Sequence, residues 1–300
     1  MIDLACPVRG CGRPLRPVSA PPETADTRSE GPAPADSPAP DAASSASVLR
    51  CPAGHAFDRA REGYWNLLQP QDRRSPRPGD PASVAVARRR WLGRGFAGGL
   101  LAALGGMLDD ARLPAGARVV DLGCGEGTIT IGLLGGRDVE ICGIDLSAAA
   151  IRIAARSSSS AMWVVANADR SLPLAAGSCD LALSLFARRG GPEIHRVLRP
   201  EGRLLVAVPA EDDLIELREL VQGGGLRLDR VGPAIEALGS GFSLVDRRRW
   251  RGRALHDAAA LADLAAMTYR GARRRESERL AAIRELEVTL GADLLLFSRV

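Results

Sequence analysis

VVDLGCGEGT, residues 119–128, runs from apolar residues into glycines at alternate positions and then into a threonine that opens a helical pattern. ARVVDLG reads as a buried parallel strand and EGTITIGLL as the helix that follows it. Gly123 and Gly125 let a ligand come close to the backbone, and Gly127 lets the helix pack tightly on the strand. Glycines alone do not name the ligand, because NAD-binding folds use the same device. The surrounding acids say more. Asp121 ends the strand, Glu126 starts the helix, and about 20 residues on Asp145 ends the next strand in GIDLS, placed to accept both ribose hydroxyls. Asp169, in NADRSLPL after the third strand, would lie near an adenine. The set points to S-adenosylmethionine (SAM). Another nucleotide cofactor, or loops that are only turns, are the competing readings.

Outward from this loop the chain alternates strand and helix. VEICGIDL, MWVVAN, CDLALSLF and RLLVAVP read as strands, AAAIRIAARS as a helix, and further helices are expected around 191–198 and 211–221. Strand candidates follow at 242–250 and 285–298, the second readable as a terminal antiparallel hairpin, with a helix near 255–267 between them. Upstream, Ala85, Trp91, Phe96, Leu100, Leu104 and Leu108 recur at helical spacing over 82–110, as one or two helices. The expected architecture is α/β: a Rossmann-like class I SAM-dependent methyltransferase domain over 111–300, with a seven-stranded, mostly parallel sheet.

Before it lies a different composition. Cys6, Cys11, Cys51 and His55 form C-x4-C and C-x3-H pairs, three thiols and one imidazole that suit tetrahedral Zn2+. Gly10, Gly12 and Gly54 supply turns beside them. With no open position, such a site would be structural, folding a segment too small for its own core. Residues 17–48, rich in proline, alanine and serine, read as a disordered insertion, and loop closure over it costs little because that cost grows only logarithmically with length. The expected division is a zinc-binding RNA-recognition module over 1–70, a basic helical connector over 71–110, and the methyltransferase domain.

Forty basic residues, all arginine, face 36 acids in a chain of 300. The excess is local. Residues 1–16 and 49–95 together carry 13 arginines against 5 acids, whereas residues 96–300 balance. A polyanion would be gripped there. Arg73, Arg74 and Arg77, then Arg88, Arg89, Arg90 and Arg94 on the helix, are the RNA-binding candidates; a second cluster, Arg247, Arg248, Arg249 and Arg251, reads as a solvated strand edge. Apolar runs are short, which argues against a membrane span, and MIDLACPVRG does not resemble a secretory segment, so the cytoplasm is expected. Six cysteines there imply metal ligands or buried thiols rather than disulfides.

CPAGHAFDRAREGYWNLL, RRSPRPGD and ARRRWLGRGF, followed by VDLGCGEG, GIDLS, LPL and HRVLRPEGRLLVAVP, together resemble the 23S rRNA (guanine-N1)-methyltransferase family over nearly the whole chain outside the insertion. Some members confer resistance to macrolides of the tylosin type. The resemblance implies zinc on Cys6, Cys11, Cys51 and His55, and SAM against Phe96, Gly125 and Glu126. It also implies 23S rRNA as partner, without a membrane, and leaves a homodimer open. The chain departs from the family in its C-x4-C knuckle and long linker, in Phe186-Ala187-Arg188 where relatives read Tyr/Phe-Ala-Pro, in Asp213 at a family histidine, and in Asp229 or Arg227 at another.

The catalytic base is not legible. Asp213 and Asp229 are candidates by position, and Phe186, after the fourth core strand, would stack on a guanine splayed out of RNA structure. A methyltransferase of small molecules, and a non-catalytic RNA-binding protein on a vestigial SAM fold, are the alternative functions.

Overall fold

The computed structural model describes residues 2–18, 47–70, 79–169, 171–187, 190–222, 224, 227–268, 279 and 282–300. Three short strands, β1 (Arg16–Val18), β2 (Val48–Arg50) and β3 (Ala56–Asp58), form an antiparallel sheet in the order β1-β2-β3. β4 (Trp65–Asn66) follows, then helices α1 (Ala82–Gly93) and α2 (Gly98–Ala111). The alternating region comprises β5 (Ala117–Leu122), α3 (Thr128–Leu134), β6 (Val139–Asp145), α4 (Ala148–Ser157), β7 (Ala161–Val165), β8 (Cys179–Leu185), α5 (Gly191–Val197) and β9 (Leu198–Pro209). Next come α6 (Ile215–Gln222), α7 (Val231–Glu236), β10 (Phe242–Asp257), α8 (Ala258–Thr268) and β11 (Glu285–Arg299).

β4 to β11 build one eight-stranded sheet in the order β10-β11-β9-β8-β5-β6-β7-β4. From β4 to β9 the pairs are parallel; β11 pairs antiparallel with β9 and with β10. The centre is apolar because it is covered on both faces: every residue of β8, CDLALSL, is buried. Leu183 and Leu205 pack with Leu104 and Leu294 in one core cluster, while Leu204 and Val206 face Phe297 in another. Each such side chain contributes about 1.5–3 kcal/mol. Chain order reverses between β5 and β8, and open α/β sheets form their crevice at the carboxyl ends of such strands.

Three expectations need correction. Residues 285–298 are not a hairpin: β11 is one continuous strand, and the hairpin is β10 with β11, paired from Phe242↔Arg299 to Asp257↔Glu285. Gly291 looked like a turn but serves close approach, since a Cβ there would meet Ala210 Cβ at 3.0 Å. The helix placed at 255–267 gives up its first turn to β10 and begins at Ala258. The sheet has an eighth strand, β4, because Trp65 and Asn66 pair with Val164 and Val165 at the edge.

The insertion's ends are ordered. Pro17 pairs with Leu49 and Val18 with Val48, so a strand pair closes its base and holds the two cysteine knuckles together. Residues 19–46 lie outside the described residues. Tyr64 and Trp65 pack against the large domain: Tyr64 with Ile151 and Trp163, Trp65 with Ile144 and Val164. No described helix is long and apolar enough to cross a membrane.

Candidate functional site

Two sites emerge. In the first, the ligand atoms of Cys6, Cys11, Cys51 and His55 all lie within 4.8 Å of one another. Cys6 Sγ and Cys51 Sγ each stand 3.4 Å from His55 Nδ1, and Cys11 Sγ is 3.8 Å from Cys51 Sγ. A tetrahedron with Zn–S bonds of about 2.3 Å has S–S edges of about 3.8 Å, so the spacing fits zinc. The knuckles are tight turns: Gly54 N donates to Cys51 O at 2.9 Å and Cys11 N to Val8 O at 2.8 Å. Gly54 and Gly10 take φ of +87° and +78°, where other residues are strained.

The second site is a cavity of about 610 Å³ at the carboxyl ends of β5, β6, β7 and β8, within the usual range of cofactor pockets. Gly123, Gly125, Glu126, Asp121, Asp145, Asp169 and Phe186 line it. Asp145 organises the loop: Oδ2 accepts from Gly125 N at 2.9 Å and Oδ1 from Ser147 N at 2.7 Å. Ser147 caps α4 by accepting from Ala150 N at 3.2 Å, and its hydroxyl donates to Asp80 O at 2.6 Å. Gly79 makes that approach feasible, since a Cβ there would meet Ser147 N at 2.6 Å.

The cavity is electrostatically unfinished. Asp121 Oδ2 accepts from Thr130 Oγ1 at 2.6 Å, but Asp121 Oδ1 and Glu126 Oε2 are buried without a hydrogen-bond partner. Burial, with Asp145 and Glu126 nearby, pushes the Asp121 carboxyl up to about 7. Burial also raises Glu126 and Asp145. SAM carries a sulfonium, an ammonium and a ribose diol, all of which suit such carboxylates, so the residues fit it.

The structure brings together most of the expected cofactor residues. Gly127 lies behind the loop, at φ +80°, where a Cβ would meet the Trp163 ring at 2.6 Å; its role is helix packing. Phe96 is not in the lining. It stacks on His256 with centroids 4.0 Å apart and packs with Trp91. Asp213 and Asp229 also lie outside the lining. Asp213 Oδ1 accepts from Gly291 N at 2.9 Å, tying the end of β9 to β11, and burial pushes its carboxyl up to about 6. Asp229 caps α7, accepting from Val231 N at 2.9 Å. Position after a strand does not say which way a side chain turns.

The arginine helix is also spoken for. Arg88 faces the cavity and pairs with Asp80 at 3.1 Å; Arg90 pairs with Asp263, Arg94 with Asp257 at 3.0 Å, and Arg89 donates to Ser157. Arg73, Arg74 and Arg77 lie outside the described residues. The cluster on β10 lies on the sheet's edge strand and is half-exposed, as expected, and its members are paired: Arg247 and Arg249 share Asp293, Arg251 meets Asp212, and Arg248 meets Asp110 and Asp246. Sequence reading missed Asp80 and Arg88 as cavity residues. The signal was PGDPAS, a turn whose acid precedes a helix.

Comparison with known proteins assigns two regions of the chain to known families. Residues 119–202 match a family described as methyltransferase domain, and residues 42–76 one described as RlmA, N-terminal. The chain is 38% identical to the 23S rRNA (guanine(748)-N(1))-methyltransferase of Streptomyces fradiae, over 75% of this chain and 80% of that one. It is 35% identical to a putative 23S rRNA (guanine-N(1)-)-methyltransferase of Micromonospora griseorubida, over 78% and 73% of the two chains. To a putative enzyme of the same description, YxjB of Bacillus subtilis (strain 168), it is 35% identical over 60% and 64%. The chain is thus a SAM-dependent methyltransferase whose cysteine–histidine cluster is a structural zinc site. Identity of 38% over three quarters of the sequence makes the chain a member of the 23S rRNA (guanine-N1)-methyltransferase family.

Proposed function

We propose that this enzyme transfers a methyl group from SAM to N1 of a guanine in a 23S rRNA hairpin, in the cytoplasm. The carrying observation is the meeting, in one cavity, of the carboxylate-lined glycine loop with an exposed aromatic at its mouth, Phe186. SAM supplies an electrophilic methyl group on a sulfonium, so the chain's task is alignment and exclusion of water. Asp145 accepts the ribose hydroxyls, Gly123 and Gly125 give the backbone room, and Asp169 borders the adenine. Phe186, 47% exposed and held at φ +58°, stacks on the guanine once it is splayed from its helix. The N1 proton passes to a lining carboxylate, directly or through water, rather than to Asp213 or Asp229.

RNA grip falls to the zinc module. Arg9, Arg13, Arg50 and Arg61 are exposed there, and no ion pair joins any of them to a described acid. The test is methylation of protein-free 23S rRNA with labelled SAM, followed by mapping of the modified base. A single N1-methylguanine in a hairpin is expected. Label only in small molecules, or SAM binding without transfer to any RNA, would refute the reading.

A further inference from the structure

We propose that Arg88 is the anchor for the carboxylate of SAM's amino-acid end, and so a specificity determinant for the cofactor. The inference rests on reading the glycine-loop cavity as the SAM site. Among the described lining residues, five carboxylates (Asp80, Asp121, Glu126, Asp145 and Asp169) meet one cation, Arg88. The acids suit the sulfonium, the ammonium and the ribose, but they repel a carboxylate. Binding the whole cofactor therefore requires a fixed positive group within the lining, and Arg88 fills that role.

Its geometry leaves it donors to give. A guanidinium has five N–H donors in a rigid fork. Arg88 Nη2 donates to Asp80 Oδ2 at 3.1 Å, which fixes the fork, and Asp80 is itself tied to Ser147. Nη1 stands 3.9 Å from Glu126 Oε2, beyond hydrogen-bond length, and Glu126 Oε2 is buried without a hydrogen-bond partner. Nη1 also lies over the glycine loop, 3.1 Å from where a Cβ on Gly125 would be. An acid and a guanidinium held slightly apart present, side by side, an acceptor for an ammonium and a donor for a carboxylate. An α-amino acid carries those two groups on adjacent atoms. Glu126 then takes the ammonium and Arg88 the carboxylate.

The test is calorimetric binding of SAM, S-adenosylhomocysteine and decarboxylated SAM to the full chain and to R88A and R88K. By charge alone, an acidic cavity would favour the doubly cationic decarboxylated analogue. The proposal expects the opposite in the wild type: SAM bound about tenfold or more tightly than that analogue. R88A should weaken SAM and S-adenosylhomocysteine by about the same factor and leave the analogue within about twofold, while R88K recovers part of the loss. Equal wild-type affinities for SAM and the analogue would overturn it, even if R88A fails to fold. So would a parallel loss of both in R88A, or a loss of rRNA affinity with SAM binding intact. Wild-type binding of the analogue establishes the cavity independently of Arg88; no binding of any of the three would sink the cavity reading as well.

Discussion

Thr130 Oγ1 donates a 2.6 Å hydrogen bond to Asp121 Oδ2, and the other oxygen of the same buried carboxylate has no hydrogen-bond partner. Because burial raises Asp121 to about 7, ionising it costs the free protein stability. The contribution is fully present below the unfolded value, about 4, and is lost as pH rises through about 7. Melting of the cofactor-free enzyme should therefore fall between pH 5 and pH 8, and D121N should flatten part of that slope. Bound SAM brings positive charge to the carboxylates, so its thermal stabilisation should grow from pH 6 to pH 8. A stabilisation that shrinks over that range would contradict the assignment.

Zinc removal should be felt beyond the knuckles. A structural site contributes roughly 10 kcal/mol or more to the folding of its module. The chain should hold one zinc equivalent, and C51A should lose it along with RNA binding. Metal analysis beside circular dichroism checks this; a C51A protein with unchanged melting and no metal in the wild type would contradict it.

The arginines should divide by their partners. R9A, R13A and R50A should each weaken rRNA binding and lower the slope of log affinity against log salt by about 1. R90A should lower the melting temperature, because it strands buried Asp263, and leave that slope unchanged. Salt titrations of the four variants decide it.

F186A should cut kcat/KM for rRNA by about 10- to 100-fold, since stacking on one base contributes about 1–3 kcal/mol. SAM affinity should stay within about threefold, and F186W should retain most activity. Stability should not drop in F186G, where the φ of +58° ceases to be strained.

G127A should destabilise by about 2–4 kcal/mol: its Cβ would strike Trp163 at 2.6 Å and Ala154 at 3.1 Å, in a left-handed backbone. Gly136 has nothing within 4 Å of its built Cβ, so G136A should lie within about 0.5 kcal/mol of wild type. Denaturant melts of the pair provide the comparison.

What could be read from the sequence is what local patterns encode. The strand–glycine–helix unit, Asp145 one strand later and the four zinc ligands each announce themselves within a few residues. Side-chain direction and distant partners do not. Arg90 finds its acid 173 residues away, in Asp263, which no charge pattern on α1 reveals. Asp213 stands after β9 where a catalytic group was expected, yet it turns to Gly291 N in β11. Phe96 was drawn into an aromatic stack with His256 that forms only once β10 has folded back. The long β11 was obscured by Gly291 and Asp293, a turn-like pair whose strand setting comes from its neighbours on both sides.

β4 runs on from the zinc module into the sheet, Leu67 N donates to Val165 O at 2.9 Å, and two residues beyond Val165 the same strand end enters the cavity at Asn167. On the proposed function, grip and chemistry are rungs of one hydrogen-bonded ladder. On that proposal the molecule would work as a gauge: with a hairpin seated on the module, the span to the methyl donor would be set by the protein. Which guanine is modified then follows from how many nucleotides fit that span, and reading of its neighbours becomes secondary.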